Sequence, residues 1–178
     1  EYIIASCDTA YTEKQENDYS ACVVMGVFRD HKRHPKIMLI MAWQERLELH
    51  ALVKKILATC EKRGCDAVIV EAKASGKSVA QEIRRLMRPG SFNVVEYDPK
   101  GGDKVARAYA VQPLFSAGTV FAPDTAWAET VIGQTESFPK GAHDDSVDAL
   151  VQGLQWLRKR GLAQLTYEAE DDDVRART

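Results

Sequence analysis

The sequence lacks the features that would place it in several broad classes. It has no apolar run near the roughly 20 residues that a membrane-spanning helix needs, and no stretch resembling a secretory leader. Cysteine is sparse. Cys7, Cys22, Cys60 and Cys65 have no CxxC spacing, and three of them lie in or beside apolar runs. That pattern excludes a disulfide scaffold and points to buried free thiols in a reducing compartment. It also argues against zinc, because Cys60 and Cys65 are badly spaced and His31 and His34 have no matching pair. Net charge is nearly absent: 24 Lys and Arg stand against 26 Asp and Glu, so no basic excess advertises a nucleic-acid binder. No phosphate-cradling loop is present. Ser75-Gly76-Lys77-Ser78 ends like one, but the glycine required five positions before Gly76 is Glu71. An initiating Met is missing too. The chain enters an apolar run at Tyr2, as expected of a piece of a longer protein.

What is present is enough for one domain. A chain of 178 residues with 45% hydrophobic and 28% charged residues has the composition of an ordinary globular domain and can bury a sizeable core. Its charge is unevenly placed. Thr166 to Thr178 holds five acids and two arginines, so the net charge of −2 leaves residues 1–165 at +1. Lys73 to Arg107 holds eight basic residues against four acids. We therefore expect a folded domain over 1–160 and an acidic, disordered tail over 161–178, where the acidic run cannot bury itself.

The most informative stretch is His143-Asp144-Asp145-Ser146-Val147-Asp148-Ala149. Behind it, Val147, Leu150, Val151, Leu154 and Leu157 recur at helical spacing. On a helix, 145 and 148 or 144 and 148 share one face. Carboxylates fixed on one face of a rigid element form a hard-oxygen site for Mg²⁺ or Mn²⁺. The plainer reading is helix capping, since Asp satisfies orphan N–H groups and the dipole at a helix start. Capping accounts for one of Asp144 and Asp145 and poorly for Asp148.

Two more acids stand at the ends of apolar runs. Tyr2 to Cys7 reads as a buried strand ending on Asp8, and Asp66 to Val70 as another ending on Glu71. Between them, Tyr19–Arg29 and Lys36–Trp43 read as hairpin-linked strands. A helix with Leu49, Leu52, Val53, Ile56, Leu57 and Cys60 on one face stops at Gly64. The helix crossover makes the strand ending at Glu71 parallel to the first, so Asp8 and Glu71 leave the sheet at the same edge. Asp18, at the entry to the second strand, is a further candidate. A helix then starts near Ser75, a strand follows over Phe92–Tyr97, and a helix runs from Lys104 to Ser116. A short extended piece at Val120-Phe121 and a short helix from Trp127 to Gln134 precede the last helix, Asp144 to Arg160. The reading is an α/β fold: a mixed sheet, three hairpin-linked strands then parallel strands, flanked by helices. Trp43, Trp127 and Trp156 are expected in the core.

This order, with acids at both strand ends and at the start of the last helix, resembles the ribonuclease H-like fold. Within it, the chain resembles the C-terminal nuclease domain of the phage terminase large subunit over about residues 1 to 160. The resemblance is carried by Asp8 with Asp18-Tyr19-Ser20-Ala21, and by Glu71-Ala72-Lys73-Ala74-Ser75-Gly76. It continues in Pro99-Lys100-Gly101-Gly102-Asp103-Lys104-Val105-Ala106-Arg107 and in Phe138-Pro139-Lys140-Gly141-Ala142-His143-Asp144-Asp145-Ser146-Val147-Asp148-Ala149. Asp145-x-x-Asp148-Ala149 is also similar to the last acidic motif of RuvC-type resolvases.

The resemblance implies a divalent-metal-dependent endonuclease that cuts concatemeric double-stranded DNA with little sequence preference. Asp8, Glu71, Asp145 and Asp148 would be its catalytic carboxylates. Two Mg²⁺ or Mn²⁺ ions would be held by these with Asp144, as rival to Asp145, and Asp18. His143 would orient a ligand or approach the phosphate, or be structural. Lys73, Lys77, Lys100, Lys104 and Arg107 are the candidates for the DNA backbone, with a solvated face as their plain alternative. An ATPase domain would precede this piece in the same protein. The portal and the small terminase subunit would be partners, the host cytoplasm its location, and the isolated piece a monomer. Three rivals remain. One is a RuvC-like resolvase or transposase-type nuclease. Another is a ribonuclease H-like docking scaffold with latent catalysis. An actin-like or sugar-kinase ATPase shares strand order but needs glycine-rich hairpins, and Thr9–Asn17 has no glycine.

Overall fold

The computed structural model describes residues 2–10, 19–99, 102–141, 143–165 and 168. The expectations for Asp18, Lys100 and most of the acidic tail lie outside the described residues. Among the described residues, six strands form one sheet: β1 (Tyr2–Asp8), β2 (Ser20–Arg29), β3 (Pro35–Glu45), β4 (Ala67–Glu71), β5 (Asn93–Tyr97) and β6 (Val120–Phe121). Their order is β5-β4-β1-β2-β3-β6. β1 and β2 pair antiparallel, as do β2 and β3, whereas β4 lies parallel to β1 and β5 parallel to β4. The helices among the described residues are α1 (Leu49–Arg63), α2 (Ala74–Leu86), α3 (Lys104–Ser116), α4 (Ala126–Ser137) and α5 (Asp145–Lys159). None of the described helices is long and apolar enough to cross a membrane.

The sheet is covered on both faces, which is why β1, β2 and β4 are continuous apolar runs rather than alternating ones. Alternate residues feed two separate cores. Ile4, Val23, Met25 and Ile69 pack with Leu150, Leu154 and Trp156 under α5. Ala5, Val24, Val68 and Val70 pack with Leu52, Ile56, Val79 and Ile83 under α1 and α2. All four cysteines are buried free thiols. Trp43 and Trp156 are buried, and Trp127 packs partly buried against the α5 core. Gly64 ends α1 in the left-handed region, its N–H reaching the carbonyls of Cys60 and Glu61.

Two close approaches fix the elements that carry the acids. A Cβ on Gly153 would lie 2.7 Å from the Met25 Cε and 3.0 Å from the Ser6 Cβ, so glycine there lets α5 approach β1 and β2 closely without displacing the Met25 side chain. A Cβ on Gly76 would lie 1.9 Å from the carbonyl oxygen of Glu71. The first turn of α2 therefore sits directly against the end of β4. Gly76→Ala must push helix and strand apart, and overpacking of this kind costs about 1–3 kcal/mol. We expect a fall in melting temperature together with displacement of Glu71; an unchanged melt and unchanged metal titration would show that the contact is readily relieved.

The folded body runs past the expected boundary at residue 160. Ala163 and Leu165 are buried in the α5 core, and Glu168 accepts hydrogen bonds from Arg158 and from the Leu165 N–H, each at 2.8 Å. Two apolar residues in this short stretch bury enough surface to tie down the chain after α5. The acids that suggested a tail begin only at Glu168.

Candidate active site

Register brings the first two acids together. Cys7 of β1 pairs with Val70 of β4, so the next residues, Asp8 and Glu71, leave the sheet side by side. Ser75 donates from its hydroxyl to the Thr9 carbonyl at 2.8 Å, tying the start of α2 to the turn after Asp8. The third group comes from α5. Gln152, buried on the sheet-facing side of that helix, donates from its amide to the Ser6 hydroxyl at 3.1 Å and to the Cys7 carbonyl at 3.2 Å. Its amide also lies 3.4 Å from the Ile69 carbonyl. One side chain thus pins α5 to both strands just before their acids, and it fixes the helix turn that carries Asp145 and Asp148.

The electrostatics record this convergence. Asp8 is pushed from its ordinary 3.8 up to about 7, first by burial, then by the charges of Asp148 and Glu71 and more weakly by Asp145; Lys104 opposes the shift. Burial also raises Asp145, with Asp144 adding to it, while His143 and Lys104 act the other way. Asp148 is raised by burial against the hydrogen bond and charge of Lys104. Four carboxylates from three elements therefore share one field.

Basic side chains enter that field. Lys73 lies 2.9 Å and Arg107 3.3 Å from the two carboxylate oxygens of Glu71. Lys104 pairs with Asp148 and lies 3.3 Å from Asp144. Burial lowers the Lys104 pKa, but Asp148 and Asp144 outweigh it and hold the amine above its ordinary range. Lys104 and Arg107 occupy the first turn of α3, where the helix dipole disfavours cations; the carboxylates opposite compensate. Asp103, from the same motif, has a structural task, capping α3 by accepting from the Ala106 N–H at 2.8 Å. Among the described residues, no group of three His, Cys, Asp or Glu side chains is arranged to hold a metal ion as it stands.

Asp144 stands at the N-cap position of α5 but makes no side-chain cap hydrogen bond; its carboxylate faces Lys104 instead. Asp145 is oriented by a residue that sequence reasoning passed over. Gln44 donates to the Asp145 Oδ2 at 2.8 Å, while its own carbonyl oxygen accepts from the Gln134 amide at 2.8 Å and the Ser146 hydroxyl at 3.3 Å. The apolar run predicts a strand ending at Trp43, whereas β3 runs on to Glu45 and so carries Gln44. The exposed His143 packs edge-on against Tyr19, ring centroids 5.4 Å apart. Lys77 is exposed on the first turn of α2.

A family model described as Terminase RNaseH-like domain matches residues 5–156. The chain belongs to this family. Among solved structures, the terminase domain is similar to the fowlpox virus Holliday junction resolvase, at 16% identity and a TM-score of 0.55, covering 88% of this chain and 99% of that one. It is similar to RuvC of Thermus thermophilus at 16% identity and 0.53, covering 91% and 98%. It is also similar to the large terminase of a thermophilic bacteriophage at 12% identity and 0.62, covering 85% of this chain and 39% of that one. At these identities the likenesses establish the fold, a ribonuclease H-like mixed sheet. Comparison with curated protein sequences gave no match.

Proposed function

We propose that this terminase domain is a divalent-metal-dependent endodeoxyribonuclease that cuts double-stranded DNA with little sequence preference during viral genome packaging. The observation that carries the reading is the register that sets Asp8 beside Glu71 at one sheet edge, with Asp145 and Asp148 of the first turn of α5 acting on Asp8. Mutually repelling carboxylates crowded at one sheet edge are the donor set that hard cations bind, and a bound cation relieves the repulsion. Asp8, Glu71, Asp145 and Asp148 would hold two Mg²⁺ or Mn²⁺ ions, with Asp144 at the rim and Asp18 as a further candidate. When bound, such ions activate a water and stabilise the leaving oxygen of an in-line displacement. The protein's part is to hold the carboxylates. Gln44 fixes Asp145, Gln152 fixes the α5 turn, and Gly76 lets α2 close on Glu71.

Membership of the terminase family supports the packaging context. An ATPase domain in the same protein, the portal and the small subunit are the partners this reading implies, in the host cytoplasm, with the domain alone a monomer. Lys73, Lys77, Lys104 and Arg107 line the same edge and suit a DNA backbone. The test is plasmid cleavage by the 178-residue chain with Mg²⁺, Mn²⁺ or EDTA, beside Asp145→Asn. Metal-dependent cleavage that falls by at least about a hundredfold in the variant is expected, since ligand-orienting partners alone are worth that much. A folded chain that neither binds metal nor cuts DNA would leave a docking scaffold as the better reading. Preference for four-way junctions over linear duplex would favour a resolvase.

A further inference from the structure

We propose that Arg46, held over Tyr19 and flanked by His143, forms a second DNA-backbone subsite on the β3 side of the carboxylates, opposite the basic residues of α2 and α3. The inference rests on the nuclease reading and adds to it a phosphodiester contact that no sequence motif marks.

The cations at this edge differ in availability. Lys73, Lys104 and Arg107 are all paired with site carboxylates. Arg46 has no ion pair among the described residues, and it is exposed. Its guanidinium carbon lies 4.3 Å from the centroid of the Tyr19 ring. A guanidinium over an aromatic ring keeps its edge N–H donors free, in the planar fork that matches a phosphate. Stacking also reduces the freedom that would be lost on binding. The arrangement is built into the register. Ser20 pairs with Glu45 in the last rung of the β2–β3 ladder, and Tyr19 and Arg46 are the residues just beyond it. His143 meets the Tyr19 ring from the start of α5, one residue before Asp144.

Position supports the same reading. Arg46 directly follows the end of β3, two residues beyond Gln44, which bonds Asp145. Lys77, also without an ion pair among the described residues, lies beyond Glu71 on α2. β4 and β3 are three strands apart in the sheet, about 14 Å at the usual spacing. A backbone running from Lys77 to Arg46 would therefore cross Glu71, Asp8 and Asp145, and the scissile phosphate would be held from both sides.

The test is fluorescence anisotropy of the 178-residue chain with a labelled short duplex in EDTA, so that binding is read without cleavage, over a range of salt concentrations. Arg46→Gln is expected to weaken binding by about tenfold, the scale of one charged hydrogen-bonded contact. It should reduce the slope of log affinity against log salt by about 0.9, one phosphate contact. Arg46→Lys should restore the slope but not the affinity, because the charge returns without the fork. Tyr19→Leu, which keeps the arginine and removes its platform, should lower affinity with the slope retained. Equal affinity and slope for Arg46→Gln and the unmodified chain would overturn the subsite and leave the nuclease reading standing. An unmodified chain with no salt-dependent duplex binding would overturn the DNA reading itself, and the subsite with it.

Discussion

Asp8→Asn is expected to abolish metal-dependent cleavage and, in the same step, to raise the melting temperature of the metal-free chain above neutral pH. The two effects have one cause. Asp8 is partly buried beside Asp148, Glu71 and Asp145, and its carboxyl is pushed from 3.8 to about 7. A group whose pKa is raised by folding contributes its stability in full below its ordinary value near 3.8, loses it progressively as pH rises to about 7, and contributes none above. Asparagine does not ionise and so escapes that loss. The gap between variant and unmodified chain should be absent in acid, open through that window and level off above it. At about 1.4 kcal/mol per pH unit, its ceiling is about 4 kcal/mol, and Lys104 nearby trims the realised value. For a domain of this size each kcal/mol is worth about 2–4 °C. Saturating Mn²⁺ should reverse the order, because the cation relieves the repulsion in the unmodified chain and finds one ligand fewer in the variant. Thermal melts across pH, with and without Mn²⁺, check this. A variant less stable than the parent at every pH would show that Asp8 is not under repulsion, and undiminished cleavage would remove it from the site.

Much of this arrangement is readable from the chain because it is local. Apolar runs that end on an acid, as at Cys7-Asp8 and Val70-Glu71, identify a strand and the residue it delivers to the sheet edge together. Helical spacing behind Asp145 does the same for α5. Lys73 beside Glu71 follows from two residues of separation. What escapes is what depends on side chains meeting across elements. Gln152 reads as an ordinary polar interruption of a helix, and only the packing of α5 shows that it bonds Ser6 and the Cys7 carbonyl. Gln44 needed the true end of β3 and the position of α4, since its partners lie 90 residues away at Gln134 and 101 away at Asp145. Tyr19 and Arg46 face each other only in the observed register. The fold was therefore the more legible part, because strand and helix periodicities are short-range. The supports that orient the carboxylates were not, because amide side chains carry no pattern of their own.

Lys104→Met is expected to tighten metal binding while weakening DNA binding, and the second effect should itself depend on metal. In the metal-free chain the Lys104 amine is committed to Asp148 and Asp144, and their attraction outweighs the burial that would lower its pKa. An incoming divalent ion must compete with that amine for the same oxygens. Methionine keeps the length and packing of the side chain and removes the charge, so the competitor is gone. One unit charge at about 4 Å in a water-like dielectric is worth about 1 kcal/mol, or about fivefold in metal affinity; the half-exposed setting of Lys104 argues for that dielectric over a lower one. The cost falls on the metal-free protein, whose carboxylates lose a counter-ion, and its melting temperature should drop. DNA binding supplies the discriminating readout. In EDTA the amine is engaged internally, so the salt slope should change little on substitution. With Ca²⁺ in the site the amine is released to a phosphate, and the variant's slope should fall short of the parent's by about 0.9. Calorimetric Mn²⁺ titration and anisotropy in the two conditions measure both arms. Weaker metal binding in the variant would mean that Lys104 holds the carboxylates in place for the ion. An equal loss of salt slope with and without metal would make it a plain backbone contact.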